Sequence, residues 1–230
     1  MSVTENLREV LDEIEKAKSK RRTGKDEPVI LTAVTKNHNV EMMREAIDGG
    51  VTDIGENRIQ EAEEKFKSLE RSVNKHLIGH LQTNKARAAV RLFDVIQSVD
   101  SEHLAAAIDK AAKSFEKVQD VLIQVNLAKE NSKSGVYEED LKSLIETIDK
   151  LNCLRLRGLM MIAPNYEDVE KCRPLFRRMK DIFDELKGSR KNFDILSMGM
   201  THDYRIAVEE GANFVRVGTA IFGERDYSQK

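Results

Sequence analysis

The sequence predicts an α/β fold, a closed (β/α)8 TIM barrel with an extra N-terminal helix. Three observations predict it. Eight short apolar runs recur along the 230 residues, over 29–36, 52–57, 76–81, 95–99, 121–127, 154–163, 195–200 and 214–218. Runs of this length, rich in Val, Ile and Leu, read as buried strands. Between them lie helical patterns over 40–48, 58–70, 83–92, 102–115, 138–151, 174–186 and 203–210, most with Lys, Arg and Glu on one face. Buried strands alternating with helices call for a parallel sheet, and the count and the length both fit a closed barrel. A doubly wound open sheet is the alternative, but the first strand lacks a glycine fingerprint at its exit.

The elements follow in order. Leu7, Val10, Leu11 and Ile14 mark one face of an N-terminal helix within 1–22, and Ser2 with Glu5 has capping-box spacing ahead of it. The segment 21–27 is polar, contains Gly24 and reads as a loop. The barrel is expected over 29–223. Pro174 suits the first turn of the helix before the seventh strand. No composition break or Pro/Gly/Ser linker divides the chain, so 1–230 is read as one domain. The N-terminal helix could cover the gap left where no long helix follows the eighth strand.

Lys plus Arg is 38 and Asp plus Glu is 40, a net charge of −2. That balance makes no electrostatic case for nucleic acid or an anionic membrane. Cys153 and Cys172 have no metal-ligand spacing and read as small core residues. Met1 leads into an amphipathic helix without a signal-peptide pattern, and no stretch is apolar enough to span a bilayer. The expectation is a reduced, soluble, cytoplasmic protein.

The chemistry-bearing residues gather at the strand exits: Lys36, Asn57, His80, Ser98, Asn126, Met160 and Met161, 197–201 and 216–219. In a barrel these ends form the active face. Lys36 is the most telling. A lysine at the mouth of a buried strand is partly desolvated, which lowers its pKa from the reference of about 10.4 and favours a nucleophilic amine. It could form a Schiff base with an aldehyde, or simply snorkel to solvent. The stretches Ser197-Met198-Gly199-Met200-Thr201 and Arg216-Val217-Gly218-Thr219 follow the seventh and eighth strands, where this fold holds phosphates. Glycine admits backbone N–H groups to an anion and Thr adds hydroxyls; the same glycines also suit tight turns. Gly218 and Gly223 have P-loop spacing, but Glu224 and Arg225 stand where Lys and Ser/Thr are needed. Arg216 faces a ligand if it points inward and a helix carboxylate if it points outward. His76 and His80, four apart in one apolar run, could share a strand face as a metal pair, though a third ligand is lacking; no metal site is assigned.

With these motifs in hand, the chain resembles the pyridoxal phosphate homeostasis proteins, relatives of the alanine racemase N-terminal barrel. The resemblance runs nearly end to end. It rests on Ala33-Val34-Thr35-Lys36, Ile54-Gly55-Glu56-Asn57, Ile78-Gly79-His80-Leu81-Gln82-Thr83-Asn84-Lys85, Asn131-Ser132-Lys133-Ser134-Gly135, Leu156-Arg157-Gly158-Leu159-Met160, 196–200 and 215–223. It implies that Lys36 holds pyridoxal 5'-phosphate (PLP) as a Schiff base. It implies that Thr201, Gly218 and Thr219 contact the phosphate, that Arg216 faces the pyridine nitrogen, and that Asn57 and Met198 line the site. Lys133 matches a position where a second lysine could take up or hand over cofactor. The chain departs from the family pattern at Thr35, Asn37, Lys75, Thr201 and His202, none of which removes a group needed for binding.

The resemblance implies a PLP carrier acting in cofactor homeostasis and in amino-acid and keto-acid balance. Apo PLP-dependent enzymes would be its recipients, and robust catalysis is not expected. The second catalytic base of alanine racemase comes from a further β domain, and no such domain follows here; its absence favours a monomer. A weak amino-acid racemase is the alternative, and a sugar-phosphate aldolase is a third reading.

Overall fold

The computed structural model describes residues 2–21, 24–130 and 132–223. Met1, the end of the N-terminal helix expected at Arg22, Asn131 of the lysine-bearing motif, and 224–230 with Glu224, Arg225 and Tyr227 lie outside the described residues.

Eight parallel strands close into a barrel in sequence order: β1 Ile30–Val34, β2 Asp53–Glu56, β3 Asn74–Leu77, β4 Val95–Val99, β5 Gln119–Val125, β6 Leu154–Met161, β7 Ile195–Ser197 and β8 Phe214–Val217. Closure is made by β1 on β8, with Thr32 opposite Arg216. The helices are α1 Val3–Ser19, α2 Val40–Asp48, α3 Ile59–Ser68, α4 Ala86–Leu92, α5 Glu102–Ser114, α6 Leu141–Ile148, α7 Arg173–Lys187, α8 Tyr204–Glu209 and α9 Thr219–Phe222.

Alternation along the strands sorts side chains into two layers. Leu31, Ala33, Ile54, Ile96, Leu159, Leu196, Val215 and Val217 face the helices and join one continuous apolar layer. Val95, Leu122, Met160, Ile195 and Phe214 form a separate, smaller cluster inside the barrel. The inside also holds buried polar groups, among them Asp53, His76, Gln97, Ser197 and Arg216.

The extra helix α1 begins on the expected capping box: Ser2 Oγ accepts from Glu5 N at 3.2 Å, and Glu5 Oε2 accepts from Ser2 N at 2.8 Å. It buries Val3, Leu7, Val10, Ile14 and Ala17 against α8, α9 and α2, beside the β8–β1 closure. Each large apolar side chain in that stripe contributes about 1.5–3 kcal/mol. Leu11, expected on the same face, is exposed; the stripe runs through Val10, Ile14 and Ala17, one helical step to its side.

Two strands begin two residues before the apolar runs that mark them. β3 starts at Asn74, whose N–H bonds Thr52 O at 2.9 Å, and β5 starts at Gln119, whose N–H bonds Cys153 O at 2.9 Å. Polar side chains at the barrel floor hide these starts in the sequence. β3 ends at Leu77, so His80 lies beyond it, and the expectation that it shares a strand face with His76 is wrong.

The loop expected over 21–27 also holds a buried cation. Arg21 is 2% exposed and donates from Nε to Val208 O at 2.9 Å and from NH1 to Gly24 O at 3.1 Å and Glu27 O at 3.2 Å; NH2 reaches Ala212 O. A bulge interrupts the β5–β6 pairing, where Val121 opposes Leu156 but Leu122 opposes Gly158. Arg157 is the extra residue. Only glycine fits next to it, because a Cβ on Gly158 would lie 1.8 Å from Ile195 O.

Candidate functional site

The exits of β1, β2, β3, β6, β7 and β8 surround a cavity of ≈ 260 Å³. Its polar lining is Lys36, Asn57, Thr201, His202, Arg216 and Thr219, with Gly218; Val34, Ile78, Ile162 and Met200 supply apolar walls. Six of the seven site residues expected from the sequence therefore meet in one place, although Lys36 and Thr219 are far apart in the chain. Met198 does not join them. It is fully buried in the helix-facing core, and Met200 lines the cavity instead.

Lys36 is half-buried, and the backbone around it is pinned on both sides. Thr35 N donates to Gly55 O at 3.0 Å, and Asn37 N donates to Glu61 Oε1. Behind this turn lies a buried ion pair. Glu56 Oε1 accepts from Thr35 Oγ1 at 2.6 Å and from Lys65 Nζ at 2.9 Å, while Lys65 also donates to Thr35 O at 2.8 Å and pairs with Glu61. Burial raises the Glu56 carboxyl above the ordinary range, against the pull of Lys65 and Thr35. Its second oxygen, Oε2, has no hydrogen-bond partner among the described residues.

Asn57 follows β2 directly, and the chain leaving β3 crosses it closely. A Cβ on Gly79 would stand 2.3 Å from Asn57 O and 2.7 Å from Asn57 Cα, so a side chain there would push Asn57 out of place.

Arg216 points into the barrel and is 3% exposed. NH1 donates to Ser197 Oγ at 2.6 Å and NH2 to Met161 O at 2.8 Å. No carboxylate lies within ion-pair distance among the described residues. Burial pulls its pKa down to about 10, with Asp203 opposing, so it is cationic at neutral pH. A guanidinium carries five N–H donors, of which these bonds use two, and Arg216 lines the cavity.

The β7 and β8 exits are zipped together. Arg216 N donates to Gly199 O at 3.0 Å, Met200 N to Asp203 Oδ1 at 2.6 Å, and Gly218 N lies 3.4 Å from Thr201 Oγ1. The first turn of α9 leaves its leading N–H groups without intrahelical acceptors. These donors, with the hydroxyls of Thr201 and Thr219, form a set suited to a phosphate. Gly218 lets the β8 exit pack closely on β1: a Cβ there would lie 3.2 Å from Val34 O.

Lys133 is not among the residues that line the cavity; its Nζ donates to Ala163 O, just past the β6 exit, at 2.9 Å and pairs with Glu130 at 2.6 Å. Its loop is shaped by Asn126, whose Nδ2 donates to Glu130 O and Lys133 O. His80 is exposed, with Nδ1 3.0 Å from Ser134 Oγ, and His76 is buried beside Asp53. Among the described residues no three His, Cys, Asp or Glu side chains form a group able to hold a metal ion. No helix described is long and apolar enough to cross a membrane.

Sequence reasoning missed Lys65 and Glu61 because both lie on α3, where charges four apart look like a solvated helix face. Glu56 stood in a recognised motif without a role. The one available signal was an acidic residue at the end of a strand buried on both faces.

Residues 6–226 match the family model described as the alanine racemase, N-terminal domain. The pyridoxal phosphate homeostasis protein of Aquifex aeolicus is 40% identical over 232 residues, covering 99% of this chain and all of that protein. The PipY protein of Synechococcus elongatus PCC7942, solved with PLP bound, superposes with a TM-score of 0.84 at 35% identity, covering 96% of this chain and 100% of that one. An alanine racemase from Clostridium difficile 630 shares the fold at 20% identity and a TM-score of 0.69, with 96% of this chain matched to 57% of that one. A barrel matched at full length by such relatives belongs to the pyridoxal phosphate homeostasis protein family.

Proposed function

We propose that the chain binds PLP covalently through Lys36 and serves as a carrier in PLP homeostasis. The observation that supports this reading is the single cavity in which one lysine, an anion-binding corner and a buried arginine meet. When bound, PLP supplies an aldehyde that condenses with an amine and a pyridine ring that can accept electrons. The remaining roles belong to the chain. Thr201, Gly218 and Thr219 hold the phosphate, and Asn57 orients the ring from the β2 side. Met198 acts from behind, its N–H bonding Phe214 O at 3.1 Å and so aligning the β7 exit with β8. Arg216 presents a cation to the ring nitrogen, keeping it unprotonated and weakening the ring as an electron sink. A site so built retains the cofactor without driving chemistry at the α-carbon of an amino acid. No tyrosine lines the cavity among the described residues, which leaves no phenol there as a second acid or base.

The test is the visible spectrum of the purified protein incubated with PLP, with borohydride trapping and peptide mapping, beside Lys36→Ala. A yellow visible band, at longer wavelength than that of free PLP, discharged by borohydride with label trapped on Lys36 and lost in the variant, is the expected result. Absence of any band after reconstitution would overturn the reading. Rapid solvent-deuterium exchange into alanine, dependent on Lys36, would favour the racemase alternative.

A further inference from the structure

The barrel interior holds a chain of side chains that the proposed site does not use. Arg216 NH1 donates to Ser197 Oγ at 2.6 Å, and Ser197 Oγ donates to Gln97 Oε1 at 2.7 Å. Gln97 Nε2 lies 3.0 Å from His76 Nδ1, and His76 Nε2 lies 2.7 Å from Asp53 Oδ1. These five residues come from β8, β7, β4, β3 and β2, and none is more than 4% exposed.

The two ends, together with the orientation of the Gln97 amide, set the direction of every bond between them. A guanidinium can only donate and an ionised carboxylate can only accept. Asp53 is ionised: burial pushes its carboxyl up, and hydrogen bonds from His76 and Thr52 more than offset this and hold it below the ordinary range. Ser197 accepts from Arg216, so its single proton goes to Gln97 Oε1. The Gln97 amide then donates from Nε2 to His76 Nδ1. His76 therefore carries its proton on Nε2 and gives it to Asp53. The chain runs head to tail from a buried cation to a buried anion.

The geometry points to Asp53, His76, Gln97 and Ser197 as positioning residues that hold Arg216 toward the cofactor's ring nitrogen. The inference rests on the reading of Arg216 given above. It predicts a specific response to substitution. In Asp53→Asn the charge is gone and the new amide can donate to Nε2 of the ring. The ring proton then moves to Nδ1, the Gln97 amide turns over, and Ser197 loses its acceptor. In Ser197→Ala the chain is cut next to Arg216, while His76 keeps its proton on Nε2.

The first readout needs no cofactor: nitrogen-15 NMR of the His76 ring in the ligand-free protein. The parent and Ser197→Ala are expected to show the Nε2–H tautomer, and Asp53→Asn the Nδ1–H tautomer. The second readout is PLP titration. Both variants are expected to bind about tenfold more weakly than the parent and to shift the absorbance of the bound cofactor. A parent ring protonated on Nδ1 overturns the inference, as do variants whose PLP dissociation constant and spectrum equal the parent's. If Asp53→Asn does not fold, the parent's ring tautomer and the PLP titration and spectrum of Ser197→Ala decide. If the parent takes no borohydride label on Lys36, the cofactor reading fails instead, and the tautomer result still reports on the chain itself.

Discussion

Arg157 and Arg216 sit on nearby strands of one barrel and are held in opposite ways. Arg157, at the β6 bulge near the floor, donates to Asp194 through Nε and NH2 and to Asp120 through NH1, each at 2.7 Å. The Arg216 guanidinium, at the mouth, bonds a serine hydroxyl and a main-chain carbonyl and no carboxylate among the described residues. The first cation is neutralised where it stands; the second is buried with its nearest chain of partners leading away to Asp53. A compensated arginine stabilises, whereas one satisfied by neutral acceptors keeps its field for a ligand. The difference lies in the partners of these two arginines, since Arg21, beside the start of β1, is also held by main-chain carbonyls and Lys65, behind the Lys36 turn, is paired.

The largest effect should come from breaking the compensated site. Arg157→Met leaves Asp120 buried with only Arg155 and strands Asp194. A loss of about 2–3 kcal/mol is expected, discounted from the fully buried case because Asp194 is half-exposed. For a chain of this size the melting temperature should fall by about 5–10 °C. PLP affinity should stay near the parent's. Thermal denaturation and PLP titration on one preparation check both, and a large change in affinity with little change in melting would undo the contrast.

Arg216→Met is expected to do the reverse. It removes an uncompensated buried charge while leaving Ser197 and Met161 O without a donor, so the net stability change should stay within about 1 kcal/mol. The spectrum of bound PLP should shift, and exchange of solvent deuterium into alanine should rise from its parent level as the ring nitrogen becomes easier to protonate. A melting shift as large as that of Arg157→Met would mean that the two arginines do the same job.

Lys65→Met sharpens the comparison from the other side of the cavity, since it leaves Glu56 buried without its cation. Because Glu56 can take a proton in response, the cost is expected at about 1–2 kcal/mol. The turn around Lys36 should also loosen, because Lys65 holds Thr35 O. Borohydride trapping should slow, and Glu56→Gln combined with Lys65→Met should recover most of the stability. Failure of the double variant to recover would show that Lys65 acts through Glu61 instead.

How far these features could be read from the sequence depended on where each residue lies along its strand. β4 was found to the residue because both its ends are apolar, whereas Asn74 and Gln119 hid the starts of β3 and β5. Lys36, Asn57, Thr201, Arg216, Gly218 and Thr219 stood out because a polar residue ending an apolar run is conspicuous. Met198 and Met200 look alike in sequence, and only the end of β7 at Ser197 separates the buried one from the one at the cavity. The bulge did leave a trace: Leu154 and Leu156 are followed by Leu159 and Met161, so the two-residue period slips by one at Arg157. The Arg216-to-Asp53 chain left none, because its five members come from five strands and only closure of the barrel brings them together.

The smallest expected effect is a pH dependence that distinguishes the two buried carboxylates of β2. Glu56 is raised above its ordinary value of 4.5, so the folded state holds its proton more tightly than the unfolded state does. Its contribution to stability is then complete below 4.5 and is lost as pH rises through the folded value. Asp53 is lowered from 3.8, so its contribution is complete above 3.8 and is lost as pH falls through the folded value. Between pH 4 and 7 the slope of stability with pH should therefore be reduced by Glu56, and Glu56→Gln should remove that reduction. Asp53→Asn should leave the slope in that window unchanged and flatten the fall below pH 4. Denaturant midpoints measured across pH 3–7 for the parent and the two variants decide it. If the two substitutions change the same part of the profile, the carboxylate beside Lys65 and the one beside His76 are not electrostatically distinct, and the separate roles given to the lysine and arginine sides of the cavity lose their basis.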